Sequence, residues 1–363
     1  MDGKSRLGST VLVPSVKEIA KDQLISIPPR YVRLDHQPPS TVTNSTSLPQ
    51  IPVIDMAKLF PQQFLDSELQ KFHLACKDWG FFQLVNHGVT TELLEKMKIE
   101  TAAFFNLPIE KKKKFWQKAG EAEGFGQHFV HSEEQKLEWG DLFYIVTLPT
   151  HSRKPHLFDN FPPSFRDAIE AYSEELQGLA NKIFNLVIKA LGILEVDYIT
   201  ESFEKGWQAM RMNYYPPCPQ PELVMGVNPH SDASGLTILF QLNDVVGLQI
   251  KKDGVWIPVK PIPNAFIINI GDMLEILTNG IYPSIEHRAT INSSKERLSI
   301  ATFHNPKFDG DLVAASSLIT PKTPQVFKRT SVSDYLKGYL TRQLDGKSFI
   351  ELLRIPNAEI KNT

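Results

Sequence analysis

Beyond Ser202 the chain is built from short runs of Ile, Val, Thr and aromatic residues, and these runs limit its possible folds more than any other feature. QAMRMNYY, LTILFQ, VGLQIKK, VWIPVK, AFIINI, SIEHRATI and RLSIATFH follow one another, separated by Gly, Pro, Asp and Asn turns. Such residues suit a pleated, half-buried surface, and many short strands at nearly even spacing predict a β-sandwich or closed double sheet of the jelly-roll type. No internal repeat is visible.

Upstream the texture is helical. Ser15 is positioned to cap a short helix with Glu18 three residues later, and a Pro, Ser and Thr-rich stretch from Pro38 to Pro49 reads as a linker. IPVID from Ile51 and FFQLVNHGV read as strands. Ser67 to Trp79, Thr91 to Phe105 and, most clearly, Pro163 to Leu191 carry apolar residues at helical spacing. Further helices are expected in VSDYLKGYL and GKSFIELLR.

With 363 residues, 42% of them hydrophobic, the chain can bury the core of one large domain or of two closely packed ones. Lys and Arg number 39 against 41 Asp and Glu, a net charge of -2, so there is no general field for a polyanion and nucleic acid is not an expected partner. The basic run Lys111 to Lys114, after Pro108 and Glu110, reads as the solvated face of a helix's first turns. Two cysteines, Cys76 and Cys218, do not make a disulfide framework and point to a reducing compartment. The N-terminus lacks the apolar stretch of a secretory signal, and no run approaches the roughly 20 residues of a membrane span. The expected protein is cytoplasmic, monomeric and without a membrane partner.

The chemistry gathers in the strand-rich half. His230 and Asp232, two residues apart in HSD, face the same side of a strand or of a chain leaving one. His287 in SIEHR, on another strand, would complete a two-histidine, one-carboxylate face with open coordination positions, the arrangement used by non-haem Fe(II) oxygenases. By itself the signal is weak: 10 His and 41 acidic residues give about one His-x-Asp/Glu by chance, and His131-Ser132-Glu133 is a competitor. That competitor lies in the polar HSEEQKLEW segment and reads as a solvated helix start. The first match gains weight from Arg297 and Ser299, a same-face pair ten residues beyond His287 that offers a planar fork and a hydroxyl to a carboxylate. Asn213 and Tyr215 form a third pair, and polar pairs on apolar strands are costly unless they line a functional cavity.

The segments NYYPPCPQP, HSD, GLQI, NIGDMLEILTNGIYPSIEHRA and ERLSIATF, with WGFFQLVNHGV and FFNLP upstream, closely resemble the plant 2-oxoglutarate and Fe(II)-dependent dioxygenases from Ile51 to about Ile355. The general group includes anthocyanidin and flavonol synthases; EGFGQHF, KPHLFDNFP and LDGKSF resemble the subgroup with the morphinan alkaloid O-demethylases. Pro283 in IYPSIEHR departs from the usual polar or basic residue but leaves the matched positions intact. The resemblance implies a mainly β fold with flanking α, a double-stranded β-helix (jelly roll) wrapped by N- and C-terminal helices. It divides the chain into an extension and linker (1–50), a mainly helical N-terminal dioxygenase region (51–200), the Fe(II)/2-oxoglutarate core (201–307) and a helical extension (308–363).

The same resemblance implies roles. His230, Asp232 and His287 are expected to hold Fe(II), Arg297 and Ser299 to bind the distal carboxylate of 2-oxoglutarate, and Asn213 and Tyr215 to contact that cosubstrate. O2 is the oxidant and ascorbate a supporting reductant. Three protein ligands and a two-point chelate leave one iron position for water and then O2, so no separate protein acid or base is needed. The implied reaction is hydroxylation or oxidative O-demethylation of a small, aromatic specialised metabolite such as an alkaloid or flavonoid, with release of succinate and CO2. Phe125, Arg211 and Phe303 match positions where related enzymes contact aromatic substrates, and packing would explain each equally well. Asp272 in NIGD reads as a turn rather than a further metal carboxylate. His87 before Gly88 also reads as a turn residue, and His304, after Phe303, as structural. Two rival functions use the same residues: a zinc hydrolase, which leaves Arg297 and Ser299 unexplained, and a non-catalytic jelly-roll small-molecule binder, which needs no open metal position.

Overall fold

The computed structural model describes residues 11–21, 26–34, 49–59, 62–118, 121–128, 130, 132–342 and 345–356. The strands of its two larger sheets are β1 (Val53–Asp55), β2 (Phe81–Val85), β3 (Gly124–Gly126), β4 (Asp141–Leu148), β5 (Trp207–Tyr215), β6 (Val227–His230), β7 (Leu236–Gln241), β8 (Leu248–Lys252), β9 (Val255–Pro258), β10 (Phe266–Ile270), β11 (His287–Ala289) and β12 (Arg297–Asn305). They form an eight-stranded sheet in the order β1-β2-β10-β7-β12-β5-β4-β3 and a four-stranded sheet in the order β6-β11-β8-β9. Apart from the parallel β1–β2 pair, the ladders are antiparallel. This is the jelly roll expected from the strand pattern, with helices around it.

Alternation along the strands of the large sheet gives it two different faces. On β12, Leu298 and Ile300 join the main core, whereas Arg297, Ser299, Ala301 and Phe303 line an interior cavity. On β5, Met210, Met212 and Tyr214 face the core while Arg211, Asn213 and Tyr215 face the cavity. The core face is covered by the helix Pro163–Leu191, whose Phe165, Ala168, Tyr172, Leu176, Leu179 and Ile183 are buried. Its 29 residues, about 43 Å at 1.5 Å per residue, reach across the sheet.

Several elements differ from the sequence reading. The helix expected from Ser67 begins at Gln62 and ends at Leu74; one π turn, Ala75–Trp79, then carries the chain to Gly80, whose φ of 59° suits glycine. The sequence reading did not assign Asp141–Leu148, which is a full strand paired along β5. Lys112 is not on a solvated face. It is completely buried, with Nζ 3.2 Å from the Phe105 carbonyl, 3.8 Å from Glu18 and 5.2 Å above the Phe125 ring, because the N-terminal helix Val16–Lys21 packs over it. Ser132 to Gln135 form a turn rather than a helix start. Pro38 to Leu48 of the expected linker, and His131, lie outside the described residues.

The loop that leaves β6 is stitched to the NIGD corner through backbone. Asp272 N donates to Asp232 O (2.7 Å), Met273 N to Ser234 O (3.1 Å) and Gly271 N to Gly235 O (3.0 Å). This approach requires glycine at 271, since a Cβ there would sit 2.0 Å from the Ser234 carbonyl oxygen. Gly271→Ala should therefore destabilise the fold by about 1–3 kcal/mol, the usual range for overpacking. Chemical denaturation measures this, and an unchanged midpoint would mean that the two segments separate freely.

Candidate metal and cosubstrate site

β6 and β11 pair so that His230 lies directly opposite His287, and Asp232 follows on the loop leaving β6. Each imidazole is oriented by its own backbone: His230 Nδ1 is 2.7 Å from Asn228 O, and His287 Nδ1 is 3.0 Å from Ile285 O. A carbonyl only accepts, so Nδ1 carries a proton in each ring and Nε2 is the atom turned toward the cluster. The two Nε2 atoms lie 3.4 and 3.6 Å from Asp232 Oδ1. The other carboxylate oxygen, Oδ2, accepts from Thr237 Oγ1 at 2.6 Å and Asn269 Nδ2 at 2.8 Å. All three ligand atoms fall within 4.8 Å of one another, the one such His/Cys/Asp/Glu grouping among the described residues.

The electrostatics suit a cation. Burial pushes the Asp232 carboxyl up, but His287, His230 and the Thr237 hydrogen bond together outweigh it and hold the group well below the usual carboxylate range. Burial, reinforced by His230, pushes His287 down to about 4, so this imidazole is neutral near pH 7. A carboxylate beside a neutral His287 imidazole is the protonation state a metal requires of these two ligands. The donor set, two nitrogens and one oxygen on one side, fits a divalent transition ion and leaves its other side open.

A cavity of about 60 Å³ runs from this cluster between the sheets to Arg297. Arg297 is 3% exposed; Nη2 donates to Gln241 Oε1 (3.0 Å), Nη1 to Ser299 Oγ (3.4 Å), and the guanidinium lies 5.3 Å from the Tyr215 ring centre. Asn213 Nδ2 donates to the same Ser299 Oγ at 3.4 Å. Among the described residues, Arg297 Nε and Asn213 Oδ1 have no hydrogen-bond partner and Arg297 has no ion pair. A buried guanidinium without a counter-ion is costly, and a ligand carboxylate supplies what it lacks.

A second, larger cavity of about 110 Å³ adjoins His230 and Asp232. Of the three candidate substrate residues, Arg211 and Phe303 line it. Phe125 does not: it packs in the core against Phe104 and Phe105, under Lys112. The C-terminal segment closes this side. Tyr339 Oη donates to Ser231 O (2.8 Å), Gly346 N to Pro229 O (2.9 Å) and Ser231 N to Gly346 O (3.2 Å), while Lys347 Nζ reaches buried Glu275 at 2.8 Å.

Asp272 is not a turn residue. It opens the helix Asp272–Leu277, fully buried, with Oδ2 accepting from Tyr335 Oη (2.7 Å) and Ser231 Oγ (3.1 Å), and it stands outside the ligand cluster. His87 is tied to Asn264 O (2.8 Å), and His304, inside β12 rather than after it, faces Gln177 of the long helix (3.4 Å). Sequence reasoning missed Thr237, Gln241, Asn269, Tyr339 and Glu275. The first three are polar residues on apolar strands, the same signal that drew attention to Asn213 and Ser299. Nothing local marks Tyr339 or Glu275, because their partners are 108 and 72 residues away.

Residues 206–306 match the 2OG-Fe(II) oxygenase superfamily, and residues 51–164 match the N-terminal family described as non-haem dioxygenase in morphine synthesis. The chain is 53% identical to oxoglutarate-dependent flavonoid 7-O-demethylase 1 of Ocimum basilicum, over 97% of this chain and 93% of that one. It is 51% identical to codeine O-demethylase of Papaver somniferum, over 96% and 98%. The crystal structure of JOX2 in complex with 2OG, Fe and JA superposes with a TM-score of 0.86 at 36% identity, covering 96% of this chain and all of that one.

The Thr237 hydroxyl is one of two donors that occupy Asp232 Oδ2 and leave Oδ1 facing the histidines. Thr237→Val keeps the shape and removes the donor, and should weaken Fe(II) binding by about tenfold to a hundredfold, as for other residues that orient a metal-binding carboxylate. An anaerobic Fe(II) titration decides it; equal affinity in the variant would show that Thr237 does not orient the carboxylate.

Proposed function

This chain belongs to the 2OG-Fe(II) oxygenase superfamily, and we propose that it oxidises a small O-methylated aromatic metabolite, of the alkaloid or flavonoid kind, with loss of the methyl group. As a member of that family it is a 2-oxoglutarate-dependent dioxygenase, which sets aside the zinc hydrolase and the non-catalytic binder. His230, Asp232 and His287 are assigned as the Fe(II) ligands. Arg297 and Ser299 are assigned to the distal carboxylate of 2-oxoglutarate, with Asn213 and Tyr215 beside it. The observation that carries the cosubstrate assignment is the buried guanidinium of Arg297, without a counter-ion, at the far end of a cavity that begins at the three ligand atoms.

Fe(II) with 2-oxoglutarate supplies O2 activation: one oxygen atom enters succinate as CO2 leaves, and the other enters a substrate C–H bond. The chain's own residues position the partners. Arg297 and Ser299 fix the cosubstrate by its far end. Thr237 and Asn269 hold Asp232 in one orientation, and Phe303 and Arg211 wall the space where the substrate presents its C–H bond. Two full-length relatives are named as O-demethylases, which favours an O-methyl carbon as the target. Hydroxylation there gives a hemiacetal that releases formaldehyde and leaves a phenol. Both cysteines are buried and unpaired, in keeping with a monomer working in the reducing cytoplasm.

The direct test is a panel of O-methylated flavonoids and alkaloids assayed for formaldehyde and succinate in equal amounts; succinate without formaldehyde from every active compound would replace demethylation by hydroxylation. His230→Ala, Asp232→Ala and His287→Ala should each fold yet lose Fe(II) and turnover, and full activity in any of them would remove that residue from the ligand set.

Arg297→Lys keeps the charge but loses the planar fork. It should raise the 2-oxoglutarate KM by about ten- to a hundredfold, the value of a hydrogen bond to a charged group, with Fe(II) affinity unchanged. Ser299→Ala should shift KM the same way by less. An unchanged KM in Arg297→Lys would assign the carboxylate to another base.

A further inference from the structure

We propose that the larger cavity selects against cations, so that this enzyme takes an uncharged, oxygen-rich aromatic substrate and turns away a protonated amine. The inference rests on reading that cavity as the substrate pocket.

Arg211 on β5 borders both cavities, and its side chain is 12% exposed. Its nearest counter-charge is Glu138, 3.6 Å away, which is not itself part of the cavity wall. The carboxylate that does line the cavity, Asp232, is committed to the metal site, with Oδ2 occupied by Thr237 and Asn269. Of the two histidines in the wall, His230 belongs to the metal site, and His128 carries no charge near pH 7, because burial and the neighbouring Arg211 push it down to about 3.

Among the described residues, two buried N–H donors in the lining have no hydrogen-bond partner, Arg211 Nε and Trp207 Nε1. Both can only donate, so the atoms that complete them are ether, carbonyl or phenolic oxygens. Around them Phe303, Leu336 and Leu340 give apolar walls for a ring system. Among the described residues of the wall an ammonium group finds no free carboxylate, and it is itself a charged donor facing a guanidinium in a poorly screened space. Aromatic faces can hold ammonium groups, but in this cavity they stand beside Arg211.

The test uses enzyme loaded with Fe(II) and 2-oxoglutarate under anaerobic conditions, so that binding is read without turnover. Quenching of tryptophan fluorescence, to which Trp207 contributes from the wall, reports Kd for two probes: 7-methoxyflavone, which is neutral, and codeine, a tertiary amine protonated at pH 7. The flavone should bind about tenfold or more tightly. Arg211→Gln removes the cation, leaves Glu138 without its partner, and should improve codeine binding relative to the flavone by a similar factor. Glu138→Gln leaves Arg211 uncompensated, keeps an oxygen for the Asn228 N–H that Glu138 now accepts at 2.9 Å, and should weaken codeine further. Codeine binding as tightly as the flavone in the wild type, or a ratio moved by neither variant, would overturn the proposal. Tight flavone binding without formaldehyde on admission of O2 would instead count against demethylation while supporting charge selection.

Discussion

The packing of the helix Pro163–Leu191 against one face of the eight-stranded sheet is the interaction on which the rest depends. Leu298, Ile300, Met210, Met212, Ile238, Phe240 and Ile268 give that face to the helix, and the buried side chains there supply the apolar burial a chain of this size needs. Because successive residues point to opposite faces, anchoring these positions fixes their neighbours on the inner face without requiring them to be apolar. Arg297, Ser299, Asn213, Thr237, Gln241 and Asn269 occupy those inner positions. A polar cavity inside a stable β structure is possible because the other side of the same strands holds the core.

Within that cavity charges are separated by sheet position. The carboxylate and two imidazoles gather where the small sheet's β6 and β11 meet the loop to β7, and the Arg297 guanidinium, without an ion pair among the described residues, lies on β12 of the large sheet. Asp232 does not neutralise Arg297, since its contacts are the two histidines, Thr237 and Asn269. A protein that paired the two internally would be more stable and would have no place for a bridging dianion. Leaving each to be completed by a ligand costs folding energy and creates binding energy of the same origin.

The C-terminal segment adds a dependence that crosses the fold. Tyr339 and Gly346 hold the backbone between His230 and Asp232, and Lys347 anchors that segment on buried Glu275. Tyr339, Leu336 and Leu340 also form part of the wall of the larger cavity. Tyr339 thus both lines the larger cavity and steadies the loop that carries Asp232.

The strand pattern after Ser202 by itself narrowed the fold to a β-sandwich or closed double sheet of the jelly-roll type, since short β-branched runs at even spacing have few other solutions. Same-face spacing also made the His230/Asp232, Asn213/Tyr215 and Arg297/Ser299 pairs legible, because period-2 alternation is a local property. Other features were not local. Lys112 looked solvated until Val16–Lys21, about ninety residues earlier, was found to cover it. Phe125 shared a motif with residues that line the cavity, but it turned into the core. Thr237 and Asn269 acquire meaning only from the distance of each to one carboxylate oxygen, and Tyr339 only from a carbonyl 108 residues away. Sequence spacing decides which side chains share a face; which faces meet, and which charges remain unpaired between them, is set by the packing of distant elements, and only the tertiary structure decides it.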